Sequence, residues 1–370
     1  MKVIHFIWSA NFGGIEKLVI MLASEQQKNK NLRSSILIGS RKGKFLELLR
    51  KSDLPFSFAG LNSGFSFSVS KFKRIKKQFE SCDIIHLHTF NPLVALAAIK
   101  SGKKIVFTVH GNFGFGRKRN LADRLLQILC GYFIRHHVDY VTYNSEFSRR
   151  YAQGFYQLKN PVNEALIYNA IPTAGFTEKE MSDNSGINLS GFVIGTASRF
   201  AGFKRIDRLI EAFSIFSSNK SDCMLLLVGD GVEMAKLKKL AAEKGIENKV
   251  IFPGYQENVF QWLNKMDVCV FPSENEPFGI VALEALSLGK PVLVFADGGG
   301  LTEIIKPLNS LNIADSIPQM VERLNYYYMN REALASEEKI NRQYVARFNI
   351  TANEQAYFNV YNQVMNKNAG

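Results

Sequence analysis

The sequence predicts an α/β chain built from two parallel-sheet domains, and three observations carry that expectation. Its 370 residues suit two α/β domains of ordinary size. Short, near-continuous apolar segments come in two successive series, each alternating with amphipathic helical patterns, as strands covered on both faces require. A polar, proline-containing stretch at residues 157–190 separates the series and reads as an interdomain linker.

Taken in order, the first series places strands at residues 3–8, 35–38, 84–88, 105–109 and 140–143, with helical patterns at 16–27, 72–81 and 121–135. The second places strands at 192–196, 224–228, 250–252, 268–271 and 291–295. Between and after them, helices are expected at 205–216, 232–244, 259–265 and 279–288. A mainly helical tail follows from 317 to 365, with Tyr357, Phe358 and Tyr361 as a packed stripe. The expected boundaries are 1–168 and 169–348 for two Rossmann-like domains, and 349–370 for a terminal helix.

Composition narrows the class. Apolar residues make up 46% and charged residues 21%, as in a folded globular protein. No run of 18 apolar residues is present to span a bilayer, and the opening residues lack the pattern of a signal peptide. Cys82, Cys130, Cys223 and Cys269 form no CxxC pair, so buried apolar roles and a reducing cytoplasm fit better than a disulfide framework or a metal site. The net charge of +13 is uneven: residues 1–172 hold 26 Lys and Arg against 10 Asp and Glu, and the remainder 20 against 23. A basic half points to an anionic partner, such as a membrane surface or a phosphorylated substrate, or is simply a solvated face. No nucleic-acid recognition motif accompanies the charge.

The sharpest chemical signal is EPFGIVALE, from Glu276 to Glu284. It follows a strand, turns at Gly279 and opens a helix, whose free N–H groups and dipole attract phosphate. Its two carboxylates, Glu276 and Glu284, suit paired sugar hydroxyls, or are ordinary helix acids. A second signal is SRFAGFKRID, beginning at Ser198, directly after a strand. There Arg199 and Lys204 can converge on a diphosphate at the ligand-binding edge of a sheet, while Arg205 and Arg208 read as surface residues. Gly13-Gly14 after the first strand permits close backbone approach to a ligand. Gly298-Gly299-Gly300 either borders a ligand or turns the chain. His110 ends a strand in TVHG and suits sugar binding or acid–base work. His86 and His88 share one strand face, without an evident third metal ligand, and favour packing or acceptor-site lining.

As a set, FGGIEK, DIIHLHTFNP, FTVHG, IYNAIP, SRFAGFKRIDRLIEAF, LLLVGDG, VIFPGY, DVCVFPSENEPFGIVALEALSLGKPV and GGLTEII resemble the family 4 retaining glycosyltransferases, which have the GT-B fold. The resemblance spans nearly the whole chain. It implies two Rossmann-like domains with parallel sheets facing across a cleft, the first binding acceptor and the second a nucleotide-sugar donor. It also implies that the terminal helix returns to the first domain.

The resemblance further implies transfer of a hexose-type sugar, from a UDP-sugar, to a hydroxyl of a glycan or lipid-linked acceptor in cell-surface polysaccharide synthesis. Arg199 and Lys204 would hold the diphosphate, Glu284 the ribose, and Glu276 the donor sugar. Phe278, Gly279 and Ile280 would meet sugar or phosphate, Gly254 and Tyr255 would complete the donor site, and Gly13 and Gly14 would approach the diphosphate. His110 would line the sugar pocket, and with Glu276, Arg199 and Lys204 would form the catalytic set. No metal or other cofactor is expected. Departures from the family pattern are Ser198 where Gly is common, Asn169-Ala170 where Asn-Gly is usual, and the shortened KPLNSLNIADS. An epimerase of nucleotide sugars, or a catalytically silent nucleotide-sugar binder, would use the same scaffold. Two basic-apolar stretches, residues 71–79 and 116–129, suit a peripheral position on an anionic membrane, or cover the first sheet.

Overall fold

The computed structural model of the protein describes residues 1–9, 13–41, 46–62, 68–111, 120–158, 163–172, 186–187 and 189–366. The chain divides into two compact units, Met1–Pro172 with Phe348–Gly370, and Thr173–Arg347.

The first unit is built on a seven-stranded sheet in the order β3-β2-β1-β4-β5-β6-β7. The strands are β1 (Lys2–Ile7), β2 (Arg33–Ile38), β3 (Phe56–Phe58), β4 (Ile84–Leu87), β5 (Lys104–Val109), β6 (Tyr140–Tyr143) and β7 (Glu164–Leu166). All neighbours pair in parallel. Strands such as β4 and β6 are buried at every position, which explains their near-continuous apolar reading. β7 falls inside the stretch read as a linker, so part of that segment is a sheet edge instead; residues 159–162, 173–185 and 188 of it lie outside the described residues.

Helices fill the crossovers. Pro92–Ser101 starts on the Asn91 side chain, which accepts from the N–H groups of Leu93 and Val94, and stops at Gly102 in the left-handed region. The last helix, Ile350–Asn366, lies in this unit and buries Tyr357 and Tyr361 with Val3, Leu22 and Ile84. Each such aromatic contributes roughly 1.5–3 kcal/mol on burial.

The second unit repeats the plan with six parallel strands in the order β10-β9-β8-β11-β12-β13. They are β8 (Phe192–Ala197), β9 (Cys223–Val228), β10 (Val250–Gly254), β11 (Val268–Phe271), β12 (Val292–Phe295) and β13 (Ile313–Ala314). In both sheets the order reverses direction beside the first strand, between β1 and β4 and between β8 and β11. Such a reversal point, at the carboxyl ends of the two strands that flank it, is the usual ligand position in sheets of this kind.

Candidate functional site

The second unit assembles most of the residues singled out in the sequence. After β8, the chain runs through Ser198–Ala201 into a short 3-10 turn, Gly202–Lys204, and then the helix Ile206–Phe216. After β11 it runs through Ser273–Phe278 to Gly279, in the left-handed region at φ +91°, and the helix Ile280–Ser287. The adjacency of β8 and β11 brings these loops together. The Glu274 N–H donates to the Phe203 carbonyl at 2.8 Å, and Lys204 Nζ lies 2.5 Å from Glu276 Oε2. Those two side chains are only 14% and 12% exposed, so the pair sits in partly desolvated surroundings where its field is felt more strongly than in water.

Two non-glycine residues with positive φ flank this pair. Arg205, directly after Lys204, has φ +47°, and Asn275, directly before Glu276, has φ +52°. Such backbone is held only by surrounding contacts. The Arg205 guanidinium donates to both carboxylate oxygens of Asp207 and to Glu274 at 3.1 Å, while the Asn275 N–H donates to the Asp297 carbonyl at 2.7 Å. Arg208 in turn grips Asp297 with two bonds of 2.8 Å. Arg205 and Arg208 are thus half-buried struts between three loops and not the surface residues expected, because their partners Glu274 and Asp297 lie far away in sequence.

Arg199 is exposed and pairs with no acidic group among the described residues, which leaves its charge available to a ligand. Glu284 is buried on the helix that Gly279 opens, and Phe278 and Ile280 are buried at its mouth. At the start of that helix the Ala282 N–H already donates to the Gly279 carbonyl at 2.9 Å, while the N–H groups of Ile280 and Val281 have no acceptor within the helix. Gly254 and Tyr255 leave β10, two strands from β8. The Gly254 carbonyl accepts from the Gly229 N–H, and Gly229 lies so near Ser198 that a Cβ there would overlap the Ser198 carbonyl. Burial pushes the Tyr255 hydroxyl up to about 12, with the Glu257 charge adding to it.

The triple-glycine turn is a packing device. Gly299 has φ +64°, and the Gly300 N–H donates to the Glu276 carbonyl at 2.7 Å. A Cβ on either would collide with backbone at Asn275–Phe278. This turn supports the loop that carries Glu276.

In the first unit, Gly13 and Gly14 lie at the carboxyl end of β1, where the Gly13 carbonyl accepts from Lys17 N–H to start the helix Gly14–Lys28. His110 follows β5 and is buried; its Nε2 lies 2.9 Å from His88 Nδ1. The loop after it, residues 112–119, lies outside the described residues. His86 and His88 do acquire a third neighbour, His5 on β1, within metal-ligand reach. All six ring nitrogens of these three histidines are, however, engaged in side-chain hydrogen bonds, so the cluster is already satisfied without an ion. Sequence reasoning missed His5 because the signal is pairing of β1 with β4, which sets His5 opposite His86.

The basic surface divides in two. On Val69–Glu80 the apolar residues Ile75 and Phe79 are buried and Phe72 packs on the core, so that helix presents mainly cations outward. On Leu121–His137, Cys130, Phe133 and Ile134 face the core, yet Leu121, Leu125, Ile128 and Tyr132 are 82%, 48%, 65% and 52% exposed. The helix therefore both covers the sheet and carries a bare apolar row. Residues 117–119, the basic cluster before it, lie outside the described residues. No described helix is long and apolar enough to cross a membrane.

Comparison with known proteins agrees with this architecture. The family described as Glycosyltransferase Family 4 matches residues 12–174, and Glycosyl transferases group 1 matches residues 177–343. The N-acetyl-alpha-D-glucosaminyl L-malate synthase of Bacillus anthracis is 29% identical over 240 residues, 62% of this chain and 60% of that enzyme's length. An uncharacterized glycosyltransferase of Haemophilus influenzae is 23% identical over 86% of this chain and 88% of its own. Among solved structures, the Anabaena protein HepE in complex with UDP and glucose superposes with a TM-score of 0.82 at 19% identity, covering 98% of this chain and 100% of that one. The lipopolysaccharide outer core galactosyltransferase WaaB gives 0.68 at 19% identity, covering 97% and 99%. Adjoining matches across both units, on two parallel sheets of this order, place the chain in the family 4 glycosyltransferases of GT-B fold.

Proposed function

We propose that this chain transfers a hexose-type sugar from a nucleotide-sugar donor, a UDP-sugar, to a hydroxyl of a glycan or lipid-linked acceptor, with retention of anomeric configuration. The observation that carries the reading is the meeting of Lys204, Glu276 and the mouth of the Ile280–Ser287 helix at one sheet edge, with Arg199, whose charge is unpaired among the described residues, on the same loop as Lys204. Arg199, Lys204 and the helix-start N–H groups would offset the negative charge that grows as the nucleoside diphosphate departs, the largest single contribution such a site makes. Glu276 would orient the donor sugar and Glu284 the ribose. In the first unit, His110 offers a ring nitrogen to a sugar hydroxyl. The leaving phosphate would accept the acceptor's proton, and no metal is needed in this scheme. Relatives support the donor class: HepE is described with UDP and glucose, and WaaB as a galactosyltransferase of lipopolysaccharide. A role in cell-surface polysaccharide synthesis follows the same neighbours.

Lys204→Ala tests the reading. Release of UDP from a panel of UDP-sugars should fall by about a hundredfold to a thousandfold, as for loss of one transition-state donor, in a protein with an unchanged circular dichroism spectrum. Unchanged transfer kinetics would remove the assignment.

The apolar row Leu121, Leu125, Ile128 and Tyr132, on a strongly basic unit, supports peripheral attachment to an anionic membrane that displays the acceptor. Sedimentation with phosphatidylglycerol vesicles should exceed that with phosphatidylcholine vesicles, and Ile128→Glu should abolish the difference. Equal sedimentation with both lipids would count against attachment.

A further inference from the structure

His110 ends a buried hydrogen-bonded series of side chains that glycosyl transfer does not by itself require. Its Nε2 meets His88 Nδ1 at 2.9 Å, His88 Nε2 meets His5 Nδ1 at 3.0 Å, and His5 Nε2 meets Gln26 Oε1 at 2.8 Å. Every member is buried, and His110 Nδ1 is buried with no hydrogen-bond partner among the described residues. A neutral imidazole has one donor and one acceptor nitrogen, so three in series must all point the same way. Burial keeps them neutral: it lowers His5 to about 4 and His110 to about 3, and His86 and His88 well below their ordinary value.

The direction follows from the far end, where the Gln26 amide oxygen is turned toward His5 and Ser34. Gln26 Oε1 also accepts from the Ser34 hydroxyl, and the Gln26 amide nitrogen donates to the Tyr361 hydroxyl at 3.4 Å. The amide oxygen thus faces His5 and can only accept. His5 must then donate from Nε2 and accept at Nδ1, His88 must do the same, and His110 must donate from Nε2. Its Nδ1 is left bare.

We propose that Gln26 is a positioning residue which, through His5 and His88, locks His110 in the Nε2–H tautomer and presents the Nδ1 lone pair as an acceptor for a sugar hydroxyl. The sugar-facing half of this inference rests on the function proposed above; the tautomer lock does not. Reversal of the series would place an N–H there, so that His110 would offer a donor in place of an acceptor and the hydroxyl would have to accept.

The test is nitrogen-15 NMR of histidine-labelled protein, free of ligand, with kinetics alongside. In the unaltered protein, His110 (assigned by His110→Gln) should show a protonated Nε2 and an unprotonated Nδ1. Gln26→Leu removes the anchor, and His110 should then show Nδ1–H character with kcat/KM about tenfold lower. Gln26→Glu keeps an acceptor and should keep the Nε2–H tautomer. An Nδ1-protonated His110 in the unaltered protein overturns the lock, and that measurement needs no variant to fold. An unchanged tautomer in Gln26→Leu overturns it as well, even where His110→Gln is inactive and glycosyl transfer stands. Full activity of His110→Gln, with the predicted tautomers present, would instead refute the sugar-facing role while leaving the lock intact.

Discussion

Gly300→Ala isolates the part played by the glycine turn in holding Glu276. Gly300 has no positive φ, so alanine meets no intrinsic backbone penalty there, and the whole effect is steric. Its Cβ would fall 2.8 Å from Phe278 Cα and closer still to the Pro277 carbonyl oxygen, where ordinary contact begins at 3.4 Å. Both obstacles are backbone and cannot rotate away, so one loop must retreat by about 1 Å to clear the Pro277 oxygen, and interiors packed like organic crystals resist that. The 2.7 Å bond from Gly300 N–H to the Glu276 carbonyl stretches in the process. Overpacking of this kind costs about 1–3 kcal/mol, which for a unit of this size lowers Tm by roughly 3–10 °C. Displacement of Glu276 by a sizeable fraction of an ångström should lower kcat/KM by about tenfold to a hundredfold, since near-attack geometry tolerates little error. Differential scanning fluorimetry and UDP-release kinetics read the two effects. Gly202→Ala is the stability control, for a Cβ there meets nothing within 4 Å and the melt should move by less than about 0.5 kcal/mol. A Gly300→Ala protein that melts and turns over like the parent would refute the argument that this turn braces the site.

Three more outcomes follow from burial and backbone. His5 and His110 bind protons in the native state only near about 4 and about 3, whereas the unfolded chain binds them near 6.5. Stability is therefore full above about 6.5 and falls as pH drops toward 4, by about 1.4 kcal/mol per pH unit per histidine; a urea midpoint that is flat across this window would contradict it. Burial raises all four thiols, Cys82 and Cys269 to about 12, so iodoacetamide at mildly alkaline pH should label none of them in the native protein and all four in guanidinium, as counted by intact mass. Gly154, exposed in the helix Glu146–Phe155 with nothing within 4 Å of its Cβ position, should gain about 0.5–1 kcal/mol on mutation to Ala, seen as a higher Tm of the first unit; a lower Tm would show a contact that the structure lacks.

The fold was legible where strands are fully buried. Segments such as IIHL, FVIGTA and VCVF are nearly continuous apolar runs because helices cover both faces, and their ends lie within a residue or two of the sequence reading. Three edge strands were not legible: β3, β7 and β13 run for only two or three residues, too short for any period to register. Pro92–Ser101 escaped for another reason. It is apolar nearly all round and shows no amphipathic face, although its Asn-Pro start and Gly102 stop were present as signals. At the candidate site, motif residues that follow strands were legible because they follow strands. Their supports were not: Arg205 and Arg208 read as surface cations until Glu274 and Asp297 appear beside them.

The pair Lys204 and Glu276 shows why residue type and spacing alone stop short of a site. Seventy-two positions separate them, and nothing local in either loop announces the other. What joins them is strand order: a sheet that grows one way from β8 through β9 and β10, and the other way through β11, must set the loops after β8 and β11 side by side. That topology is the minimum needed for contact, and it does not by itself fix the orientation of the side chains. Orientation comes from the left-handed backbone at Arg205 and Asn275, each about 1–3 kcal/mol above a relaxed conformation. Each is offset by a specific hold, the first by Asp207 and Glu274, the second by the Asp297 carbonyl. Because Arg208 binds the Asp297 side chain as well, the two strained positions share one brace, and Arg208→Ala should loosen both loops together. A site held this way is set before a ligand arrives, which is what electrostatic stabilisation of a departing diphosphate demands: charges aimed in advance need no reorganisation as the bond breaks.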